Sequence, residues 1–263
     1  MRKVTYITIP LMIFLSFTFF SFKGIYKKIP QDPKIKIFYL TEDVKIKMIW
    51  VSPGTYLMGS PVFEIGRTPE REKQHEVTIN DGFWLAETEF TQDQWERIMG
   101  HNPSFNKDSN LPVDQVSFLD IQKLLLKING KGNEFRLPTE TEWEYACRAG
   151  SKEAYATNNF DEMVWHSGNS GKQSHPVAKK NPNAWGFYDM QGNILEWCSD
   201  WFVEDNTGKR IGSLEQNGTY RVQRGGQFTG RTKHTRAADR QRGLPDGRDF
   251  FVGFRLAHNG TNN

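Results

Sequence analysis

A chain of 263 residues is long enough for one large domain or two small ones, and its formal net charge of +3 gives no reason to expect a nucleic-acid partner. Aromatic residues make up 13% with 8 Trp, and there are 23 Gly, a mix that suits a loop-rich fold and excludes a helical bundle or a disordered chain. Cys147 and Cys198 are too few for a Cys₄ zinc site, there is no CxxC, and their spacing gives no support to a disulfide.

The N-terminus opens Met1-Arg2-Lys3 and then runs from Val4 to Phe22 without a charge. Such a run is just long enough to span a bilayer as a helix. No Ala-x-Ala site follows it, and no cysteine that could carry a lipid. The expectation is an exported chain: residues 1–22 form a signal anchor that keeps an extracytoplasmic domain at the membrane, with secretion as the alternative if the segment is cleaved. Lysines on both flanks cast opposing votes on orientation. Residues 23–44, with Pro30-Gln31-Asp32-Pro33, read as a tether. The globular domain is expected over 45–258, and 259–263 as a tail.

Met48-Ile49-Trp50-Val51 reads as a strand, Pro53-Gly54 as a turn and Thr55–Ser60 as the strand resuming. Ser60–Lys73 is a polar loop, His75–Ile79 alternates, and Phe83–Ala86 reads as a second hairpin arm. Thr91-x-x-Gln94 and Thr139-x-x-Glu142 are capping boxes and Ser117-x-x-Asp120 resembles one, each followed by apolar residues at helical spacing. After Gly150 the chain reads as short strands and long loops. Within Asn181–Asp200, Asp189 and Glu196 flank the turn signal Gly192-Asn193. Two readings stay open there: a solvated acidic turn, or a loop whose carboxylates and carbonyls hold a hard cation.

Four motifs in order carry a resemblance: Met48–Ser60, Arg136-Leu137-Pro138-Thr139-Glu140-Thr141-Glu142-Trp143, Asn183-Ala184-Trp185-Gly186-Phe187-Tyr188-Asp189-Met190 with Gly192-Asn193-Ile194-Leu195-Glu196-Trp197, and Arg224-Gly225-Gly226 with Gly253-Phe254-Arg255-Leu256. Over about 45–257 the chain resembles the formylglycine-generating enzyme (sulfatase-modifying factor) family. The resemblance implies a single α+β domain, related to the C-type-lectin fold, with little regular secondary structure. It also implies a structural Ca²⁺ held by side chains of Asp189 and Glu196 and carbonyls of Gly192 and Ile194. A second family calcium site would fall near Val164–Asn169, where the pattern departs.

The family's oxidases bind copper with two cysteines after the Gly-Gly. Gly230 and Thr235 occupy those positions here, and Gln227 stands where the family has a serine. Neither Gly nor Thr supplies the soft thiolate that Cu(I) needs, so no copper and no formylglycine-generating oxidase activity are expected. Other catalysts on this scaffold hold iron with histidines; His166, His175 and His234 are the set that would have to converge.

Residues 221–255 contain nine Arg or Lys and three Asp. Two readings stay open: a basic surface for an anionic ligand, or arginines paired internally with carboxylates such as Glu140, Glu142 and Glu144. The spacing of Arg236, Ala238, Arg240, Arg242, Pro245, Arg248 and Gly253-Phe254-Arg255 also resembles the frame of variable proteins diversified by retroelements. That likeness implies a ligand surface at Gln227, Thr229, Arg231, His234, Asp239, Phe250 and Phe251, for a protein or small-molecule ligand. Phe250 and Phe251 read equally well as core packing before the last strand. The expected function is ligand binding, with a metal-dependent oxygenase or tailoring enzyme on the same fold as the alternative.

Overall fold

Alternation decides where the sheet begins. Lys34-Ile35-Lys36-Ile37-Phe38-Tyr39 alternates charge with apolar side chains, and in a computed structural model it forms the edge strand β1 (Ile35–Tyr39), antiparallel to β2 (Lys45–Val51). This corrects the reading of the whole of 23–44 as a tether: the domain starts ten residues earlier than Lys45, on an alternating stretch whose lysines disguised it. The structure describes residues 34–129, 134–156, 159–204 and 218–260. The proposed membrane segment and the tail residues 261–263 lie outside them. Among the described residues no helix is long and apolar enough to cross a membrane.

β3 (Gly54–Met58) pairs with β4 (His75–Ile79) as a separate two-stranded ribbon. β5 (Phe83–Ala86) pairs with β2, not with its sequence neighbour β4. β2 and β3 therefore belong to different sheets, although the sequence reads the second as the first resuming after the Pro53-Gly54 turn. The reason is two-sided burial. In β2, Ile46 and Met48 enter one core and Ile49 and Val51 another; in β5, Trp84 and Ala86 face the first and Phe83 and Leu85 the second. Strands buried on both faces need a central place in the sheet. The order is β1-β2-β5-β11-β6, with β6 at Phe135–Arg136 and β11 at Ala257–His258.

The three capping boxes start the three main helices. α1 (Gln92–Met99), α2 (Phe118–Ile128) and α3 (Glu140–Arg148) each have the hydroxyl of Thr91, Ser117 or Thr139 accepting the N–H three residues on, while that residue's side chain accepts the cap's own N–H. α1 and α2 cover the first core through Trp95, Ile121 and Leu124; α3 covers the second through Trp143, Ala146 and Cys147. α4 (Phe160–Met163) is a single turn. A second sheet, ordered β10-β7-β8-β9, joins β7 (Leu195–Trp201), β8 (Arg221–Arg224), β9 (Gln241–Gly243) and β10 (Val252–Gly253). β7 and β8 put the carboxylate loop and the Gly225-Gly226 turn side by side, where the Gly192 N–H donates to the Gly225 carbonyl at 2.7 Å.

Candidate functional site

The loop before β7 is built on unusual backbone. Asp189 and Asn193 lie at φ 55° and 57°, in the left-handed region, and Gly192 at 102°. A Cβ on Gly192 would fall 2.2 Å from the Trp165 carbonyl oxygen, so only glycine fits. Asn193 is buried and donates to Glu89 Oε1 at 3.0 Å, while its carbonyl accepts from the Phe228 N–H at 2.7 Å.

Glu196 is fully buried. It accepts from Arg255 Nε and Nη2, both at 2.7 Å, and from Trp143 Nε1 at 2.8 Å. Three of the roughly four lone-pair directions of a carboxylate are thereby taken. Asp189 Oδ2 accepts from the Ala178 N–H at 2.8 Å, but its Oδ1 has no hydrogen-bond partner, and neither has Glu89 Oε2. Burial pushes the Asp189 carboxyl up to about 6 and Glu89 well above the carboxylate range, where Asp189 and then Glu196 add repulsion. A cavity of about 10 Å³ beside Asp189 is lined also by Asn183 and Gln191, but not by Glu89, Gly192, Ile194 or Glu196. Two buried carboxylates with orphan oxygens fit a hard cation. Asp189 and the carbonyls of Gly192 and Ile194 would hold Ca²⁺, with Glu196 giving its remaining lone pair. Among the described residues no three His, Cys, Asp or Glu group as a metal site, so carbonyls would have to complete the shell. Glu89 went unread in the sequence, since nothing about an acid two residues before a cap marks it.

The copper positions do not fit copper. Gly230 has no side chain, and Thr235 is buried with its hydroxyl donating to the Thr232 carbonyl at 2.9 Å. The cysteines are buried elsewhere; burial pushes the Cys147 thiol up to about 12 and Cys198 well above the usual thiol range. The three histidines are engaged separately. His166 Nε2 lies 2.9 Å from Asp161 and His175 Nε2 lies 2.8 Å from the Ser170 carbonyl, with the His175 ring stacked on Trp165 at 3.7 Å. His234 is 3.6 Å from Asp239.

The ligand residues read from the sequence divide into two groups. Gln227 donates to Thr229 at 3.0 Å, and the adjacent Phe228 lies 6.1 Å from Phe250, which packs on Phe251 at 5.0 Å. Phe250 is 43% exposed, whereas Phe251 is half-buried against the core, so the core-packing reading describes Phe251 alone. Phe105, 67% exposed and 5.7 Å from Phe250, extends this into an aromatic ledge. It went unread; an apolar residue inside Asn102-Pro103-Ser104-Phe105-Asn106 was the available signal. The second group is Asp239, buried beside Arg236 and bonded to Gln241, and His234 beside it. Arg231 is exposed just before the 3₁₀ turn Thr232–Thr235.

Much of the basic stretch faces inward. Arg224 pairs with Glu140 and Glu144, Arg236 with Glu64 and Glu72, Arg240 with Glu140, and Arg255 with Glu196, all four arginines being buried. Glu142 pairs instead with Arg136. The internal-pairing reading therefore describes this segment better than a continuous basic surface.

Comparison with known proteins agrees with this architecture. The chain matches the family described as sulfatase-modifying factor enzyme 1-like domain over residues 40–260. Chaperone protein LppX of Paenibacillus barcinonensis is 29% identical, with 67% of this chain and 79% of that protein covered. The formylglycine-generating enzyme of Streptomyces coelicolor is 33% identical over 62% of this chain and 58% of its own length. Treponema denticola variable protein 1 superposes with a TM-score of 0.75 at 27% identity, covering 87% of this chain and 100% of that one. PvdO from Pseudomonas aeruginosa, at 24% identity and a TM-score of 0.78 over 85% of this chain and 98% of its own, shares the fold. With the motifs in order, the frame paired and the match spanning nearly all the described residues, the chain belongs to the sulfatase-modifying factor enzyme 1-like domain family.

Proposed function

We propose that this protein is an exported, membrane-tethered member of the family that binds a ligand on the ledge of Phe105, Phe250, Gln227 and Thr229 and does not oxidise cysteine. Ca²⁺ serves in it as a structural cation for the Asp189–Glu196 loop. One observation carries the reading. The frame around the site is kept and internally paired, while Gly230 and Thr235 replace the thiolates that the oxidase chemistry requires, and both cysteines are buried elsewhere. Exposed aromatic side chains held on a rigid frame are suited to anchoring a partner. The likeness to a variable protein that this chain covers end to end supports placing the function on the C-terminal surface.

The test uses the full chain in two assays. In the first, Cu(I) is offered in competition with a chromogenic chelator and a cysteine-bearing sulfatase peptide is supplied; neither copper uptake nor aldehyde product is expected. In the second, peptides selected on the wild-type chain from a display library are measured against Phe105→Ala and Phe250→Ala, with a loss of about tenfold or more expected for each. Stoichiometric copper with aldehyde formation would overturn the reading, as would peptides indifferent to both substitutions.

A further inference from the structure

α1, α2 and the segment before β10 enclose a concavity of about 240 Å³ that shares no lining residue with the ledge or the carboxylate loop. That is roughly eight water volumes, enough for a small organic molecule. Its apolar wall is Trp95, Met99 and Pro103. Trp95 is 1% exposed, and its Nε1–H has no acceptor among the described residues. A buried donor left unpaired is costly and calls for an explanation.

The mouth is cationic. Arg248 Nε and Nη2 both reach Asp120 Oδ2, at 2.8 and 2.7 Å, and Lys123 Nζ donates to Oδ1 of the same carboxylate at 3.1 Å, so one anion faces two cations. Asp120 is also occupied as the partner of the Ser117 N–H and hydroxyl in the α2 cap. Arg248 Nη1 makes only a long contact, 3.4 Å, to the Asp246 carbonyl. Both cations reach solvent, with side-chain exposures of 49% for Arg248 and 66% for Lys123. Gln115 lines the same concavity at φ 57°, pinned by its N–H to the Asp249 carbonyl at 3.0 Å. A non-glycine residue held in the left-handed region is strained, and such strain gathers at ligand clamps.

We propose that this concavity binds a small organic anion. The apolar body lies against Trp95, Met99 and Pro103, an acceptor atom takes the Trp95 N–H, and the anionic group faces Arg248 and Lys123. The experiment is a titration of the ¹⁵N-labelled full chain with phenyl phosphate, benzoate and the neutral benzamide, followed at the Trp95 indole N–H resonance. Phenyl phosphate and benzoate are expected to shift that resonance, and benzamide to bind about fivefold more weakly or worse. Arg248→Gln and Lys123→Gln should each weaken the two anions by about fivefold and leave benzamide unchanged. Trp95→Phe assigns the resonance, and in that variant binding, followed instead at the backbone amides of Met99 and Lys123, should be weaker for the anions by about tenfold. If that variant does not fold, His101→Trp, at an exposed lining position, should fill the mouth and block all three probes. An indole resonance that none of the probes moves at roughly ten times a 1 mM dissociation constant overturns the proposal. So does anion binding that Arg248→Gln and His101→Trp both leave intact.

Discussion

Asp200 is 6% exposed and accepts the Glu140 N–H at the first turn of α3, at 2.6 Å. Burial, with the Glu140 charge adding to it, pushes its carboxyl up to about 6 from 3.8. Between those values the folded chain holds a proton that the unfolded chain has released. This group's contribution therefore falls as pH rises from about 4 to about 6 and stays low above that. Asp200→Asn keeps an acceptor for the Glu140 N–H and removes the charge. Its urea unfolding at pH 7.5 should show a gain on the order of 1–3 kcal/mol over wild type, and the difference should vanish below about pH 4. A difference constant across pH would contradict this account. Asp189 supports a second prediction. Asp189→Asn leaves an acceptor for the Ala178 N–H but takes away the charge a divalent cation needs. Calcium should raise the melting temperature of wild type and leave that of the variant unmoved; equal response to calcium and chelator in the two proteins would refute the site. Glu196→Ala is the poorer variant, because it also strands the buried Arg255 guanidinium.

The helix starts were legible because they are local. A hydroxyl and a carboxylate or amide three residues apart satisfy each other's backbone partners whatever the rest of the chain does. Thr139→Ala should therefore cost about 1 kcal/mol in chemical denaturation, with Thr139→Ser restoring most of it. Strand partners were not legible, since a pairing such as Trp50 with Trp84 depends on burial on both faces, which single-strand alternation does not reveal. β1 was hidden for the opposite reason: it is an exposed edge strand, and Lys36 with the preceding Lys34 makes it look like linker until β2 lies beside it. At the site, the carboxylate loop was marked by Asp189, Gly192 and Glu196. Glu89 reaches it only through a hydrogen bond across 104 residues of sequence to Asn193. The aromatic ledge was half visible, Phe250 through its neighbours in the C-terminal frame and Phe105 not at all.

Across the whole molecule, buried ion pairs tie the last strands to everything before them. Arg255 alone bonds Glu196, the Ala86 and Glu87 carbonyls at the end of β5, and the Tyr188 carbonyl in the loop. Removing one partner of such a pair strands a charge in the interior, so Arg255→Met should lose about 3–5 kcal/mol, and the double variant Glu196→Leu/Arg255→Met should recover a good part of it. Equal losses in the single and double variants would show that the arginine acts by packing alone. The pairing also imposes an order of events on synthesis. Glu144 has Arg148 four residues on, but Glu72, Glu140 and Glu196 leave the ribosome before their partners Arg224, Arg236, Arg240 and Arg255. At translation rates of about 5–20 residues per second, the nascent chain spends on the order of ten seconds with carboxylates that it cannot afford to bury. Closure of the interior around these acids is therefore expected to wait for the C-terminal arginines. A chain cut short before Arg255 would leave Glu196 without its guanidinium and should be protease-sensitive.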